Sequence, residues 1–185
     1  MTADEVLAFW FQGERNLFRS DPWFTKVPEF DALCRERFGF TVQAALDGAL
    51  DPWAATPTGT LALVIVLDQL PRNIHRGTHL AFAGDAHARR FARNAIAGGI
   101  DAQLTPVERI FLYLPFTHSE NLADQDLSVR LFAALESPSS KALDSAERHR
   151  DVIRRFGRYP HRNAALGRIS TPAEAAYLAE AGSGF

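Results

Sequence analysis

The sequence predicts an all-α protein of about eight or nine helices, and three observations support this fold class. Capping boxes, in which a threonine and a later glutamate satisfy unpaired backbone N–H groups, begin helices at Thr2–Glu5, Thr105–Glu108 and Thr171–Glu174. The unbroken apolar run Leu61–Leu67 is typical of a helix buried on every side. Sustained strand alternation and Asn-Gly hairpin turns are both absent from the sequence. We therefore expect a single all-helical domain over residues 1–185, with short helices in antiparallel pairs and a frayed tail at 182–185.

Proline and glycine mark most of the other helix boundaries. Pro28 opens a second helix, and Pro57 begins the central apolar helix. The two glycines at 98 and 99 end a helix that carries a stripe of small residues. Two further helices are expected over Ser119–Leu135 and Ser140–Phe156, because apolar residues recur there at helical spacing.

Composition and charge narrow the function classes. Apolar residues make up 46% of the chain and the net charge is −2, which disfavours nucleic acid and anionic membranes as partners. The single cysteine, Cys34, rules out an internal disulfide and suits a reducing compartment. Asp4 and Glu5 occupy positions where an export signal carries positive charge, and Leu61–Leu67 is too short to span a bilayer. We expect a soluble cytoplasmic protein.

Polar side chains concentrate at three junctions that contain proline: residues 68–77, 114–125 and 154–168. The first and third share the pattern Arg-Asn-x-x-x-Gly, which predicts two equivalent corners opened by proline and closed by glycine. Residues 147–168 carry seven arginines and two acids, so we expect this basic segment to fold against acidic groups elsewhere.

Several polar residues should lie inside the protein and need partners there. Asp68 and Gln69 follow the central apolar run directly, and Gln125 and His149 fall on the apolar faces of their helices. A carboxylate near a helix C-terminus is disfavoured by the helix dipole, so Asp68 requires a cation. Three arginines are candidates for that partner: Arg72, Arg158 and Arg162.

The chain resembles a bacterial family catalogued as domain of unknown function 924. The resemblance covers essentially the whole chain and rests on Phe9–Phe11, Trp23-Phe24, Leu67–Asn73, Leu114–Phe116, His118–Glu120, Asp124-Gln125, His149–Asp151, Phe156–Asn163 and Leu166–Arg168. It implies an all-helical fold similar to tetratricopeptide-repeat proteins, with a right-handed superhelical stack. It implies no particular activity and no catalytic residues.

The leading functional hypothesis is a binding module. Its pocket would be lined by arginine, asparagine and histidine and would take an anionic small molecule or a peptide carboxylate, since arginine forks recognise carboxylates and phosphates bidentately. The residues assigned to this pocket are Asp68, Gln69, Arg72, Asn73, Arg158, His161, Arg162 and Asn163.

Two alternatives stay open. The first is a hydrolase that uses His118, Glu120 and Asp124, with or without a metal, and with His149 as a further catalytic candidate. The sequence has no H-E-x-x-H motif and no cysteine pair, so it predicts no metal site, and no cofactor is implied. The second alternative is a purely structural polar network combined with a protein-interaction surface. An exposed Trp10-Phe11 patch would indicate such a surface, for example in a homodimer, although we expect these rings in the core.

Overall fold

A computed structural model describes residues 1–19, 22–135 and 140–180 of the chain, and in these ranges it is all-helical without strands. The expected frayed tail at 182–185 lies outside the described residues. Short 3-10 helices span Asp51–Ala55, His79–Phe82, Asp101–Gln103 and Pro160–Arg162. The α-helices of the described ranges, of which α4 is a single short turn, are α1 (Ala3–Trp10), α2 (Pro28–Leu46), α3 (Pro57–Asp68), α4 (Leu70–Ile74), α5 (Asp85–Ala97), α6 (Pro106–Thr117), α7 (Leu122–Ala133), α8 (Ser140–Phe156) and α9 (Pro172–Leu178).

All three predicted capping boxes are present. In each, the threonine hydroxyl accepts a hydrogen bond from the backbone of the glutamate, and the glutamate carboxylate accepts one from the threonine backbone. α5 ends before the two glycines at 98 and 99, as expected. The helix predicted from Ser119 begins at Leu122 instead, because the side chain of Asn121 caps it by accepting from the N–H groups of Ala123 and Asp124.

The central helix is α3. Every residue from Leu61 to Leu67 has no exposed surface, and the helix contacts α1, α2, α4, α5 and α6. A helix that is apolar on all sides is stable only when it is surrounded in this way. The right-handed superhelical stack stays a prediction.

The N-terminal aromatic residues belong to the core. Trp10 and Phe11 are buried, and the indole N–H of the buried Trp23 donates to the carbonyl of Trp10. Phe111 of α6 packs edge-on against all three rings. The Trp10-Phe11 pair is therefore packing and offers no surface to a partner.

A close backbone contact sets α5 against the end of α3. A Cβ atom added to Gly84 would lie 2.1 Å from the carbonyl oxygen of Leu67, so only glycine fits at this position. Gly84 precedes α5 directly, and the contact brings Asp85, in the first turn of α5, to the end of α3, where Arg72 contacts both Asp85 and Asp68.

Of the helices in the described ranges, none is both long and apolar enough to cross a membrane.

Candidate functional site

Asp68 is the buried centre of the polar junctions. Its carboxylate has no exposed surface and lies 2.8 and 2.9 Å from Nδ1 of His118. The side-chain amide of Gln69 donates to the same carboxylate, and Nη1 of Arg72 lies 3.3 Å from it. Arg72 also donates to the backbone carbonyl of Asp68 at 2.5 Å. The arginine partner expected for Asp68 is therefore Arg72, one helical turn further along the chain.

These contacts determine the protonation states of Asp68 and His118. Burial alone would raise the pKa of Asp68, but the charge of Arg72 and the hydrogen bonds from His118 and Gln69 outweigh it and hold that pKa below its ordinary value. Burial and the nearby guanidinium of Arg72 lower the pKa of His118, despite the attraction of Asp68. At neutral pH the pair is thus an ionised carboxylate and a neutral imidazole.

Two arginines from the predicted equivalent corners meet at one carboxylate. Arg72 binds Asp85 through both terminal nitrogens, at 2.8 and 3.1 Å, and Nη1 of Arg162 lies 3.5 Å from Oδ2 of the same residue. The corners themselves match: Gly77 and Gly167, which close them, both have positive φ, at 81° and 64°.

Arg162 is held between two aromatic rings. Its guanidinium carbon lies 4.5 Å from the ring centre of Tyr159 and 4.6 Å from that of Phe82. Its side chain is only 7% exposed, and its Nε has no hydrogen-bond partner among the described residues. Burial and the like charge of Arg72 lower the pKa of Arg162 to about 10. The charge of Arg162 is therefore incompletely compensated.

Tyr159 and Gln125 connect the second junction to the third. The hydroxyl of Tyr159 donates to the carbonyl of Thr117 at 2.5 Å and accepts from the amide of Gln125 at 2.7 Å. The same amide nitrogen also lies within hydrogen-bond distance of the carbonyls of Thr117 and Ser119. Gln125 and His149 are both buried, as their positions on apolar helix faces predicted.

Two further histidines border this region. The ring of His149 lies 6.5 Å from that of His118 and 5.7 Å from that of Tyr159, while His161 lies 5.4 Å from Tyr159. Burial is the largest cause that lowers the pKa of His149 to about 3 and that of His161 to about 4. We use the name junction cluster for six residues: Asp68, Arg72, Asp85, His118, Tyr159 and Arg162.

Other predicted pocket residues have their polar contacts elsewhere. Asn73 donates to Asp31, which also pairs with Arg76 and joins α2 to α4. Asn163 donates to Ser170. Arg158 as a partner for Asp68 is wrong: it binds Glu174 in two places, at 2.6 and 2.8 Å.

The basic segment folds against acids, as predicted, and this determines where Glu120 and Asp124 are bound. Arg168 binds Glu120 through two hydrogen bonds, and the backbone N–H of Tyr159 donates to the same carboxylate. Asp124 accepts from Arg93 of α5 and from the hydroxyl of Ser119. In the hydrolase hypothesis His118, Glu120 and Asp124 act together, but each has a different charged partner in the structure.

The junction cluster contains no group of metal-binding side chains among its described residues, and the surface depression between α8 and α9 lies elsewhere. Within the described ranges, no three His, Cys, Asp or Glu residues are grouped to hold a metal ion. A depression of about 470 Å³ lies between the end of α8 and the start of α9, and Arg158 and Glu174, which line it, neutralise each other.

Three residues of the junction cluster and its surroundings were not predicted from the sequence: Asp85, Phe82 and Tyr159. Asp85 is the lone acid in a helix with three arginines, which is a usable signal. Phe82 and Tyr159 carry no signal of this kind, because an aromatic residue near a proline or glycine is most often simply packing.

Comparison with known proteins identifies a family and a similar solved structure. A family model described as "Bacterial protein of unknown function (DUF924)" matches residues 6–182. The chain belongs to this family. The chain is also similar to the solved structure of a protein of unknown function from Agrobacterium tumefaciens, with 40% sequence identity and a TM-score of 0.87, and the match covers 96% of each chain. No curated protein matches the sequence. Membership in this family and the structural match thus support the all-helical fold, and neither names an activity.

Proposed function

We propose that this protein binds a small carboxylate-bearing molecule, or the carboxylate of a peptide, at the junction cluster. The observation that carries the proposal is the state of Arg162. Its guanidinium is buried between Phe82 and Tyr159, its Nε has no partner among the described residues, and its contact with Asp85 is 3.5 Å long. A buried cation that lacks a full set of partners is stabilised when an anion binds to it.

The geometry favours a planar, bidentate anion. Two aromatic rings lie within 4.6 Å of the guanidinium carbon, and the N–H groups of a guanidinium lie in its own plane, where a carboxylate presents two oxygens at matching spacing. Arg72 is different, since Asp68 and Asp85 already occupy its donors and raise its pKa. Arg72 therefore holds the acids in place, and Arg162 is the residue available to a ligand.

Solvent reaches the cluster beside His118 and Arg72, whose side chains are 15% and 19% exposed. Asp68 and Tyr159 behind them are fully buried. A ligand entering on this side would meet a neutral imidazole and two guanidinium groups. Cys34 is buried and forms no disulfide, which supports the reducing cytoplasm as the compartment in which the protein binds its ligand.

The test is calorimetric titration with succinate, acetate and inorganic phosphate, supported by ligand-induced shifts of the melting temperature. We expect succinate to bind the wild-type protein and to bind Arg162→Met at least about tenfold more weakly, because a hydrogen-bonded charge pair contributes about 1.5–3 kcal/mol. Arg158→Met is the matched control, since Arg158 is also an arginine of the basic segment but is paired with Glu174 away from the cluster.

The outcomes separate the open alternatives. Succinate binding that Arg162→Met weakens and Arg158→Met leaves unchanged supports the proposal. If the wild-type protein instead prefers phosphate, and only Arg162→Met weakens that binding, the site is the one proposed but its ligand is a phosphate and not a carboxylate. No binding of any of the three anions, or equal binding by both variants, would leave the structural polar network as the better account.

A further inference from the structure

The hydrogen bond between Asp68 and His118 fixes the tautomer of the imidazole. An ionised carboxylate can only accept hydrogen bonds, so Nδ1 of His118 must carry the hydrogen that it shares with Asp68. The neutral imidazole then has its lone pair on Nε2. This nitrogen is the basic atom of a residue at the solvent edge of the junction cluster.

The surroundings hold this arrangement rigidly. Gln69 and Arg72 bind the carboxylate of Asp68 from other directions, and Arg72 is itself bound to Asp85. His118 is the C-terminal cap of α6, and its backbone N–H donates to the carbonyls of Leu114 and Phe116. Both the carboxylate and the imidazole are thus oriented by neighbours, which is what general acid–base catalysis requires.

We propose that His118 is the general base of a hydrolytic reaction on a small ester that carries a carboxylate, with Asp68 as its positioning residue. This inference rests on the proposed function, because Arg162 would hold the carboxylate of the substrate. The catalytic pair proposed here is therefore His118 with Asp68, which are hydrogen-bonded to each other. It takes the place of the group His118, Glu120 and Asp124 that the sequence suggested.

The steps balance with water as the co-reactant. Nε2 of His118 takes a proton from a water molecule while the water oxygen bonds to the ester carbonyl carbon, and the π electrons of the C=O bond move onto the carbonyl oxygen to give a tetrahedral oxyanion. The C=O bond then re-forms as the bond between that carbon and the alkoxy oxygen breaks, and Nε2 returns the proton to the departing oxygen. The products are an acid and an alcohol. Asp68 stays ionised throughout and stabilises the transient imidazolium.

Water is the nucleophile because nearby hydroxyl and thiol groups are engaged or remote. The hydroxyl of Ser119 donates to Asp124 at 2.7 Å and so is not oriented by His118. Cys34 is buried in the apolar core, and burial raises the pKa of its thiol to about 12.

The experiment measures hydrolysis of mono-4-nitrophenyl terephthalate, whose rigid carboxylate cannot attack its own ester, with 4-nitrophenyl benzoate as the matched ester without a carboxylate. We expect the wild-type protein to accelerate hydrolysis of the charged ester above buffer, and by a larger factor than it accelerates hydrolysis of the benzoate ester. His118→Gln should lower kcat by at least about 100-fold, within the range of a lost general base. The exposed His87 provides the matched control, and His87→Gln should leave the rate unchanged.

Three results would overturn the assignment: a wild-type rate equal to buffer, wild-type activity in His118→Gln, or an acylated His118 found by mass spectrometry of the quenched reaction, since acylation would make it a nucleophile. Succinate titration of the same samples separates the two claims. Binding without hydrolysis removes only the catalytic inference, whereas absence of both removes the proposed function as well. Asp68→Asn, where it folds, should lower kcat with little change in KM.

Discussion

Arg72 and Arg162 contact the same carboxylate, Asp85, from two corners of similar sequence. Arg72 makes two short hydrogen bonds to it, and Arg162 makes one long contact of 3.5 Å. The two arginines therefore share one counter-ion unequally. Arg72 and Asp85 form a structural pair, and the charge of Arg162 is the one that the proposed ligand would compensate.

Arg162→Met should leave the free energy of unfolding unchanged or raise it by up to about 2 kcal/mol, since replacing a poorly compensated buried charge by an apolar side chain is often neutral or stabilising. The lowered pKa of Arg162 has the same meaning, because it shows that the fold disfavours the charged form. Urea unfolding without ligand measures the change. A loss of more than about 2 kcal/mol would show that Arg162 is a structural residue, contrary to the proposed function.

Asp68→Asn should destabilise the protein by about 3–5 kcal/mol, because it removes one of the two negative charges that the buried cation Arg72 contacts and replaces the charged acceptor of His118 by a neutral amide. Asp126→Asn is the control. Its carboxylate contacts Arg150 and Arg154 near the surface, and its loss should cost less than about 1 kcal/mol. Equal effects in chemical denaturation would mean that Asp68 is not the centre of the network.

Stability should fall as the pH drops below about 6.5. The pKa of His149 is about 3 and that of His161 about 4 in the folded protein, against an ordinary value of 6.5, so the unfolded chain binds these protons first. Each such imidazole should remove about 1.6 kcal/mol between pH 6.5 and pH 5, because the unfolded imidazole is already half protonated at pH 6.5. His149→Gln should reduce this pH dependence by about that amount in urea unfolding at the two pH values. An unchanged slope would show that His149 is protonated within the fold.

Gly84→Ala should destabilise the protein by about 3 kcal/mol or more and weaken succinate binding, because the new methyl group would collide with the carbonyl of Leu67 and displace Asp85. The control is Gly39→Ala in α2, where the added methyl group meets no atom within 4 Å. It should stabilise by about 0.5–1 kcal/mol through helix propensity. Thermal and urea unfolding of the pair test whether this one backbone contact sets the position of the site.

Local chemistry explains what could be predicted from the sequence. The capping boxes, the buried α3 and the inward positions of Gln125 and His149 depend on residues within one or two helical turns. The pairing of Asp68 with Arg72 is local in the same sense. The match between the two corners was also visible, because proline and glycine determine backbone geometry wherever they occur.

The composition of the site depended on tertiary packing and could not be predicted in the same way. Asp85 joins the cluster only because Gly84 packs on Leu67, a contact that no periodicity encodes. Arg158 was a reasonable candidate for Asp68, but the capping box at Thr171 holds Glu174 in place, and Arg158 binds that glutamate instead.

The most direct test of the account is a long-range proton–nitrogen NMR spectrum of the six histidine side chains, recorded at pH 7 with and without succinate. We predict that His118 is the neutral tautomer with its hydrogen on Nδ1, and that its Nε2 resonance moves on addition of succinate in the wild-type protein but not in Arg162→Met. A hydrogen on Nε2, or a His118 resonance that succinate does not move, would contradict the assignment of the junction cluster as a carboxylate site.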